Sequence, residues 1–360
     1  MNKVLQKKKI VFILAALVSG GAERQLIYLI KNLNKKYYDP QIISFSKGVW
    51  EDRFLELEIP IKIIENPKSR LIKMFKLIKF LRSEKFEIVH NYGHTANLLG
   101  RMASIIAGIP IIIASERNSP AYTKSKIVVF IEKILAFFTD ALISNSLHGA
   151  KFWVDNKLID KNKAWTVFNG IESSLLSKVE REDNIIRIIT IGDLRNQKNH
   201  IFMIESIKLL LLKNNNIHLS IVGDGPLRGR IEKLIKSNSL NKFITMRGYS
   251  KNIRNLLLNS DIYIHTALHE GLPNAVMEAM SCGLPCLVTN ADGCDEIIHH
   301  QVDGIITSFD MKEFAAKLSS LIDDKDLQKK IGNNAQKKMN TFSIEKFVLQ
   351  NEKIYDNLLK

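Results

Sequence analysis

Cysteine is scarce: 360 residues contain three, Cys282, Cys286 and Cys294, all in one short segment near the end. No histidine or further cysteine stands beside them at zinc-finger spacing. They read as buried free thiols of a reducing cytoplasm rather than as a metal site. Also missing is an uninterrupted apolar run long enough to span a bilayer. Residues 1–9 are basic, but the apolar run behind them, residues 10–18, is short and passes into Gly20-Gly21. That suits a strand and turn better than a secretory leader. An aromatic-rich basic module of the kind that grips nucleic acid is absent too.

What is present is an ordinary globular balance, 46% hydrophobic and 25% charged, over a length that suggests two domains. The formal net charge is +15. Such an excess favours an anionic partner, whether nucleic acid, an acidic membrane face or a phosphorylated substrate.

The chain is organised around His269-Glu270-Gly271-Leu272-Pro273-Asn274-Ala275-Val276-Met277-Glu278-Ala279-Met280. An apolar run before it, residues 261–265, reads as a buried strand, and Pro273 marks the first turn of a helix. Glu270 then sits on a loop and Glu278 inside the helix, with Asn274 and Glu278 on one face. Unpaired N–H groups at the helix start attract an anion, and the two carboxylates can accept sugar hydroxyls. Together they suit a nucleotide sugar. An acidic helix start with a solvated glutamate further along would show the same pair. Gly271, Pro273, Gly283 and Pro285 set backbone shape on both sides of it and weight the balance toward a site.

The Glu270-to-Glu278 spacing, with Gly-Leu-Pro after the first and Met-Glu-Ala-Met around the second, resembles the E-x7-E motif of retaining glycosyltransferases of family four. The resemblance implies the α/β GT-B fold, two Rossmann-like doubly wound parallel-sheet domains facing a central cleft. It further implies transfer of a hexose or N-acetylhexosamine from a nucleotide-diphosphate sugar, UDP foremost. Glu278 would hold the ribose hydroxyls and Glu270 the transferred sugar, with Gly271, Leu272, Pro273 and Asn274 around them. The acceptor implied is a glycan on a polyprenyl diphosphate at a cytoplasmic leaflet, as in O-antigen or capsule assembly.

Ahead of the motif, short apolar runs alternate with helical stretches, as a parallel sheet covered on both faces requires. Strands are expected at 10–14, 41–45, 61–64, 87–90 and 109–114, and helices at 22–33, 71–82 and 96–107. Gly20-Gly21-Ala22-Glu23-Arg24 is similar to a family-four opening whose loop faces the cleft. Ligands gather at the carboxyl ends of such strands, which puts His90, Asn91, His94, Ser115, Glu116, Arg117 and Asn118 on the rim. His90, His94 and Arg117 are the acceptor-side candidates. Glu116-Arg117-Asn118 stand where family members often carry a histidine, so no catalytic histidine is carried over. Residues 67–85 interleave Lys68, Lys73, Lys76, Lys79 and Arg82 with Leu71, Phe75 and Phe80, while residues 124–138 hold more apolar positions than one core-facing stripe needs. Both suit an anionic membrane face as well as they suit a helix packed on the sheet.

Asn169-Gly170-Ile171-Glu172 and the polar stretch behind it read as the crossing between an acceptor domain, 1–170, and a donor domain, 171–342. A last helix, about 343–360, is expected to pack back on the first. Residues 185–191 form a strand ending at Gly192-Asp193-Leu194-Arg195-Asn196-Gln197-Lys198-Asn199, where cations beyond a glycine can neutralise a diphosphate. The family has arginine where Asp193 stands. Lys198 matches, and Arg195 is the candidate for the missing charge. Val222-Gly223-Asp224-Gly225-Pro226 fails as a dinucleotide fingerprint by spacing and is similar to the family's nucleotide-face turn. Gly248 and Tyr249 end a strand whose loop contacts the base in the family. The one Asp-x-Asp, Asp324-Lys325-Asp326, reads as a helix cap, so no metal or other cofactor is expected. A UDP-sugar 2-epimerase of the same fold is the competing activity, and a basic nucleic-acid binder the non-enzymatic alternative.

Overall fold

The computed structural model describes residues 6–65, 69–117, 126–172 and 183–360. Lys68, Asn118, Lys124 and the linker at 173–182 lie outside them. The chain divides into two compact units, Met1–Gly170 with Ile344–Lys360, and Ile171–Ser343.

In the first unit β1 (Lys8–Leu14), β2 (Tyr38–Ser44), β3 (Ile61–Ile63), β4 (Ile88–Tyr92), β5 (Ile111–Glu116), β6 (Ala141–Ser144) and β7 (Ala164–Thr166) form one sheet in the order β3-β2-β1-β4-β5-β6-β7. Every neighbouring pair is parallel. A parallel sheet is covered on both faces, so its central strand must be apolar on both. β1 shows the period of two: Ile10, Phe12 and Leu14 enter one core, Val11 and Ile13 the other. The first core is closed by Leu26, Leu29 and Ile30 of the helix Gly21–Asn32 and by Phe347, Ile354 and Tyr355 of the last helix, Ile344–Leu358. The second is closed by Leu77 and Leu81 of the helix Arg70–Glu84 and by Ala96 and Ala103 of the helix His94–Ala107.

The second unit repeats the plan with β8 (Ile186–Ile191), β9 (Ile217–Val222), β10 (Ile244–Gly248), β11 (Ile262–His265), β12 (Cys286–Thr289) and β13 (Ile305–Thr307), ordered β10-β9-β8-β11-β12-β13 and again parallel. In each sheet the strand order reverses once, between β1 and β4 and between β8 and β11. Chains leaving the carboxyl ends of those two strands turn apart and open a crevice. Gly223 lets the loops after β8 and β9 approach closely. Its φ is +138°, and a Cβ there would lie 2.0 Å from the Gly192 carbonyl oxygen.

One buried ion pair stands out in the first unit. Arg101 of the helix His94–Ala107 pairs with Glu132 of the helix Lys126–Phe137, both side chains fully buried. Arg101 also donates to Thr139 Oγ1 at 3.2 Å and lies 5.4 Å over the Trp153 ring. Removing one partner of such a pair leaves a buried charge uncompensated, at a cost of about 3–5 kcal/mol. Arg101→Met is therefore expected to lower the thermal midpoint sharply, while Arg101→Met with Glu132→Leu recovers most of the loss. Differential scanning calorimetry of the two variants checks this.

Candidate functional site

The residues of the motif gather at the second crevice. The loop after β8 ends in a single 3-10 turn, Asn196–Lys198, and Asn199 caps it with φ +51° before the helix His200–Leu211. The loop after β11 runs alongside. Thr266 Oγ1 donates to the Lys198 carbonyl at 3.0 Å, Leu268 N to the Gln197 carbonyl at 2.8 Å, and Gln197 Nε2 back to the His269 carbonyl at 2.7 Å. Two loops from distant parts of the sequence are thereby fixed as one surface.

On that surface Lys198 Nζ donates to Glu270 Oε1, and His265 Nε2 lies 2.8 Å from the same oxygen. A carboxylate only accepts, so His265 carries its proton on Nε2 and presents Nδ1 to the Tyr263 hydroxyl, 3.5 Å away. Burial alone would push the Glu270 carboxyl upward. The Lys198 charge and the His265 hydrogen bond outweigh it and hold the group at about 2. Burial keeps His265 below its ordinary value, against the pull of Glu270, and therefore neutral. Both donors are on Oε1, and neither reaches the second oxygen of Glu270.

Pro273 caps the helix Asn274–Ser281 rather than forming its first turn, and its carbonyl accepts from Val276 N and Met277 N. Glu278 lies half-buried in that helix; burial raises the Tyr263 hydroxyl well above its ordinary value, and the charges of Glu270 and Glu278 add to that. Leu272 is buried and Asn274 half-buried. Gly271 is approached so closely that a Cβ on Gly293 would lie 1.9 Å from its carbonyl oxygen. Gly192 is overlaid by the Lys198 stem, 3.5 Å from where a Cβ would be. Gly248, with φ +69°, ends β10, and the exposed Tyr249 follows it. Arg195 does not join the cluster: its side chain is 67% exposed, 3.9 Å from Asp193.

In the first unit Gly20 and Gly21 open the helix Gly21–Asn32 at the end of β1, and His94 opens the helix His94–Ala107, exposed to solvent. His90 is a correction. It lies inside β4, fully buried, with Nδ1 2.8 Å from the Tyr355 hydroxyl and Nε2 2.6 Å from Ser115 Oγ. Both ring nitrogens are occupied by the core, so His90 is not a rim residue. Arg117 follows β5, buried, donating to Tyr92 OH at 3.2 Å and Asn169 Oδ1 at 3.3 Å.

Sequence reading missed His265, Tyr263 and Thr266. The signal was there: a strand otherwise made of isoleucine carries tyrosine and histidine two apart, hence on one face, five residues before Glu270.

Comparison with known proteins identifies the family. Residues 19–175 match the family model described as Glycosyltransferase Family 4, and residues 175–338 the model described as Glycosyl transferases group 1. An Escherichia coli UDP-Gal:alpha-D-GlcNAc-diphosphoundecaprenol alpha-1,3-galactosyltransferase is 27% identical across 100% of this chain and 99% of its own. A Campylobacter jejuni alpha-1,4-N-acetyl-D-galactosaminyltransferase, named for a GalNAc-containing undecaprenol-diphosphate acceptor, is 29% identical over 93% of this chain and 95% of its own. Anabaena HepE, solved in complex with UDP and glucose, superposes with a TM-score of 0.87 at 20% identity, covering 97% of this chain and 99% of that one, a likeness of fold. The fold is GT-B, and the chain belongs to the family-four glycosyltransferases.

Because the Glu270 carboxyl is depressed to about 2 from 4.5, its ionisation adds stability that is complete above about 4.5 and lost as pH falls toward 2. The difference in thermal midpoint between the protein and Glu270→Gln should therefore shrink between pH 5 and pH 3. Melting curves across that range check the sign.

Proposed function

We propose that the second unit binds a UDP-sugar and that the enzyme transfers its hexose or N-acetylhexosamine, with retention, to a glycan on a polyprenyl diphosphate. The observation that carries this is the carboxylate of Glu270, held by Lys198 and His265 at the crevice between β8 and β11 with one oxygen open. Glu270 would take hydroxyls of the transferred sugar and Glu278 those of the ribose. Lys198 and the N–H groups of the helix Asn274–Ser281 would meet the diphosphate. Charge building on a leaving diphosphate is stabilised by a fixed cation without a metal, and departure toward the acceptor's own face needs no enzyme nucleophile. Arg195, free of the cluster, is a secondary source of charge. The named acceptors of the Escherichia coli and Campylobacter relatives support the lipid-linked substrate. The first unit would present it, with Arg117 and His94 as polar contacts.

The same reading places the enzyme at an anionic membrane surface. No helix among the described residues is long and apolar enough to cross a membrane. Nevertheless the helix Arg70–Glu84 exposes Phe75 at 75%, the helix Lys126–Phe137 exposes Phe130 at 65% and Phe137 at 82%, and the helix His94–Ala107 exposes Ile106. Ile127, Phe130, Ile134 and Phe137 follow one another at three- and four-residue steps, a single exposed stripe. In these helices the acidic residues are Glu84 and Glu132, and Glu132 is buried against Arg101. Glu84 at the end of its helix pairs with Lys9, and the rest of the exposed surface is apolar and cationic, complementary to acidic lipid headgroups.

Two measurements test the reading. A panel of UDP- and GDP-sugars with a lipid-diphosphate acceptor should show turnover of a UDP-sugar that persists in excess chelator and falls about a hundredfold in Lys198→Ala, the scale of a lost oxyanion donor. Release of UDP with an altered free sugar and no acceptor product would instead make it an epimerase. For the surface, co-sedimentation with phosphatidylglycerol vesicles should exceed that with phosphatidylcholine vesicles. It should weaken roughly tenfold for each of Phe130→Ser and Phe137→Ser; equal, negligible binding to both vesicles would remove the membrane from the account.

A further inference from the structure

We propose that His265 is a positioning residue that keeps the Glu270 carboxylate aimed at the donor sugar while Lys198 turns to the diphosphate. This rests on the donor-site reading above, in which one ammonium serves two anions in turn. Lys198 and His265 converge on the same oxygen of Glu270, but they differ in kind. Lys198 is a point charge on a flexible stem, 23% exposed, and can swing between acceptors. His265 is 2% exposed, belongs to a strand paired on both sides, and stacks on Tyr263 at 6.2 Å with a 20° tilt. Its ring cannot follow Lys198.

When negative charge builds on the departing diphosphate, the ammonium is drawn there. A carboxylate 7% exposed then loses its cation, a costly condition unless another donor remains. The Nε2–H of His265 is that donor. A buried imidazole in a strand otherwise apolar is explained by this duty, and an apolar side chain in its place would fill the core equally well. The groups around the pair are Tyr263 behind the imidazole, Lys198 and His200 from the loop after β8 and the helix it enters, Glu278 near the tyrosine, and the Cys294 thiol. His200, held at about 4 by burial, and Cys294, pushed up by burial, stay uncharged at neutral pH. Among these groups the charge that moves beside Glu270 is then that of Lys198.

The test compares His265→Phe, which keeps a ring without a donor, with His265→Gln, which keeps a donor. Removing a hydrogen bond to a charged group is expected to lower kcat about ten- to hundredfold in the phenylalanine variant. KM for the UDP-sugar should stay within about threefold, since the loss falls where Lys198 is engaged elsewhere. The acid limb of kcat should move to higher pH, because the ionised form of Glu270 has lost a donor. Affinity for UDP, which lacks the sugar, should be unchanged by calorimetry, and His265→Gln should restore most of kcat. Wild-type kcat with an unmoved acid limb in His265→Phe would overturn the proposal, as would a glutamine variant equally impaired or UDP affinity falling in step with kcat. Nitrogen-15 NMR of histidine-labelled wild-type protein gives a readout independent of folding variants and of turnover. The Nε2–H tautomer of His265 should persist with and without UDP, and a change to Nδ1–H or to imidazolium would also overturn it. Wild-type protein that turns over no nucleotide sugar would fail the donor reading, while the tautomer still reports on His265.

Discussion

A single carboxylate, Glu270, sets the terms for the second unit. It is nearly enclosed, which by itself favours the neutral acid, yet it stays ionised because a lysine from one loop and an imidazole from a neighbouring strand reach the same oxygen. That balance holds only if the two loops keep register to within a hydrogen-bond length. The lacing of Thr266, Leu268 and Gln197 across the β8 and β11 loops supplies that register. The close backbone approach of Gly293 to Gly271 keeps the floor in place.

Electrostatics also differs between the two units. In the second unit the cations of the loop after β8 are each tied to an acid, Lys198 to Glu270 and Arg195 loosely to Asp193. On the helix Lys126–Phe137 of the first unit the acid is withdrawn instead, Glu132 into the core with Arg101. The excess of +15 is thus not a uniform coat. In the helix Arg70–Glu84 a part of it, Lys73, Lys76 and Lys79, is interleaved with the exposed Phe75.

Much of this was legible beforehand because both sheets are built from strands buried on both faces, and such strands appear as unbroken apolar runs. Residues 10–14, 185–191 and 261–265 could be placed within a residue or two, and so could the glutamates that follow β11. The short elements were not, among them β6 at Ala141–Ser144 and the helices Glu51–Leu55 and Leu147–Asp155. A four-residue strand and a five-residue helix offer too little periodicity to separate from loop. His90 was misplaced because strand ends are uncertain by a residue or two: β4 runs on to Tyr92, which draws the histidine inside. Its partner, Tyr355, lies 265 positions away, a distance no local pattern spans. His265 was passed over for the opposite reason, since an apolar run hides a polar member whose meaning comes only from Glu270 and Lys198.

That distant pairing of His90 with Tyr355 bears on how the protein is made. The central β4 of the first unit contains an imidazole whose Nδ1 is met by a hydroxyl from the final helix, and the same helix supplies Glu352 to the Asn34 amide at 2.7 Å and Asp356 to the Tyr38 hydroxyl. Until residues 344–360 have been made, the first-synthesised unit lacks a wall, whereas Ile171–Ser343 is complete about one helix earlier. Order of synthesis and order of completion are therefore reversed. A released chain ending near residue 343 would hold a finished second unit and an unsealed first one, with the Nδ1 of His90 left without its hydroxyl.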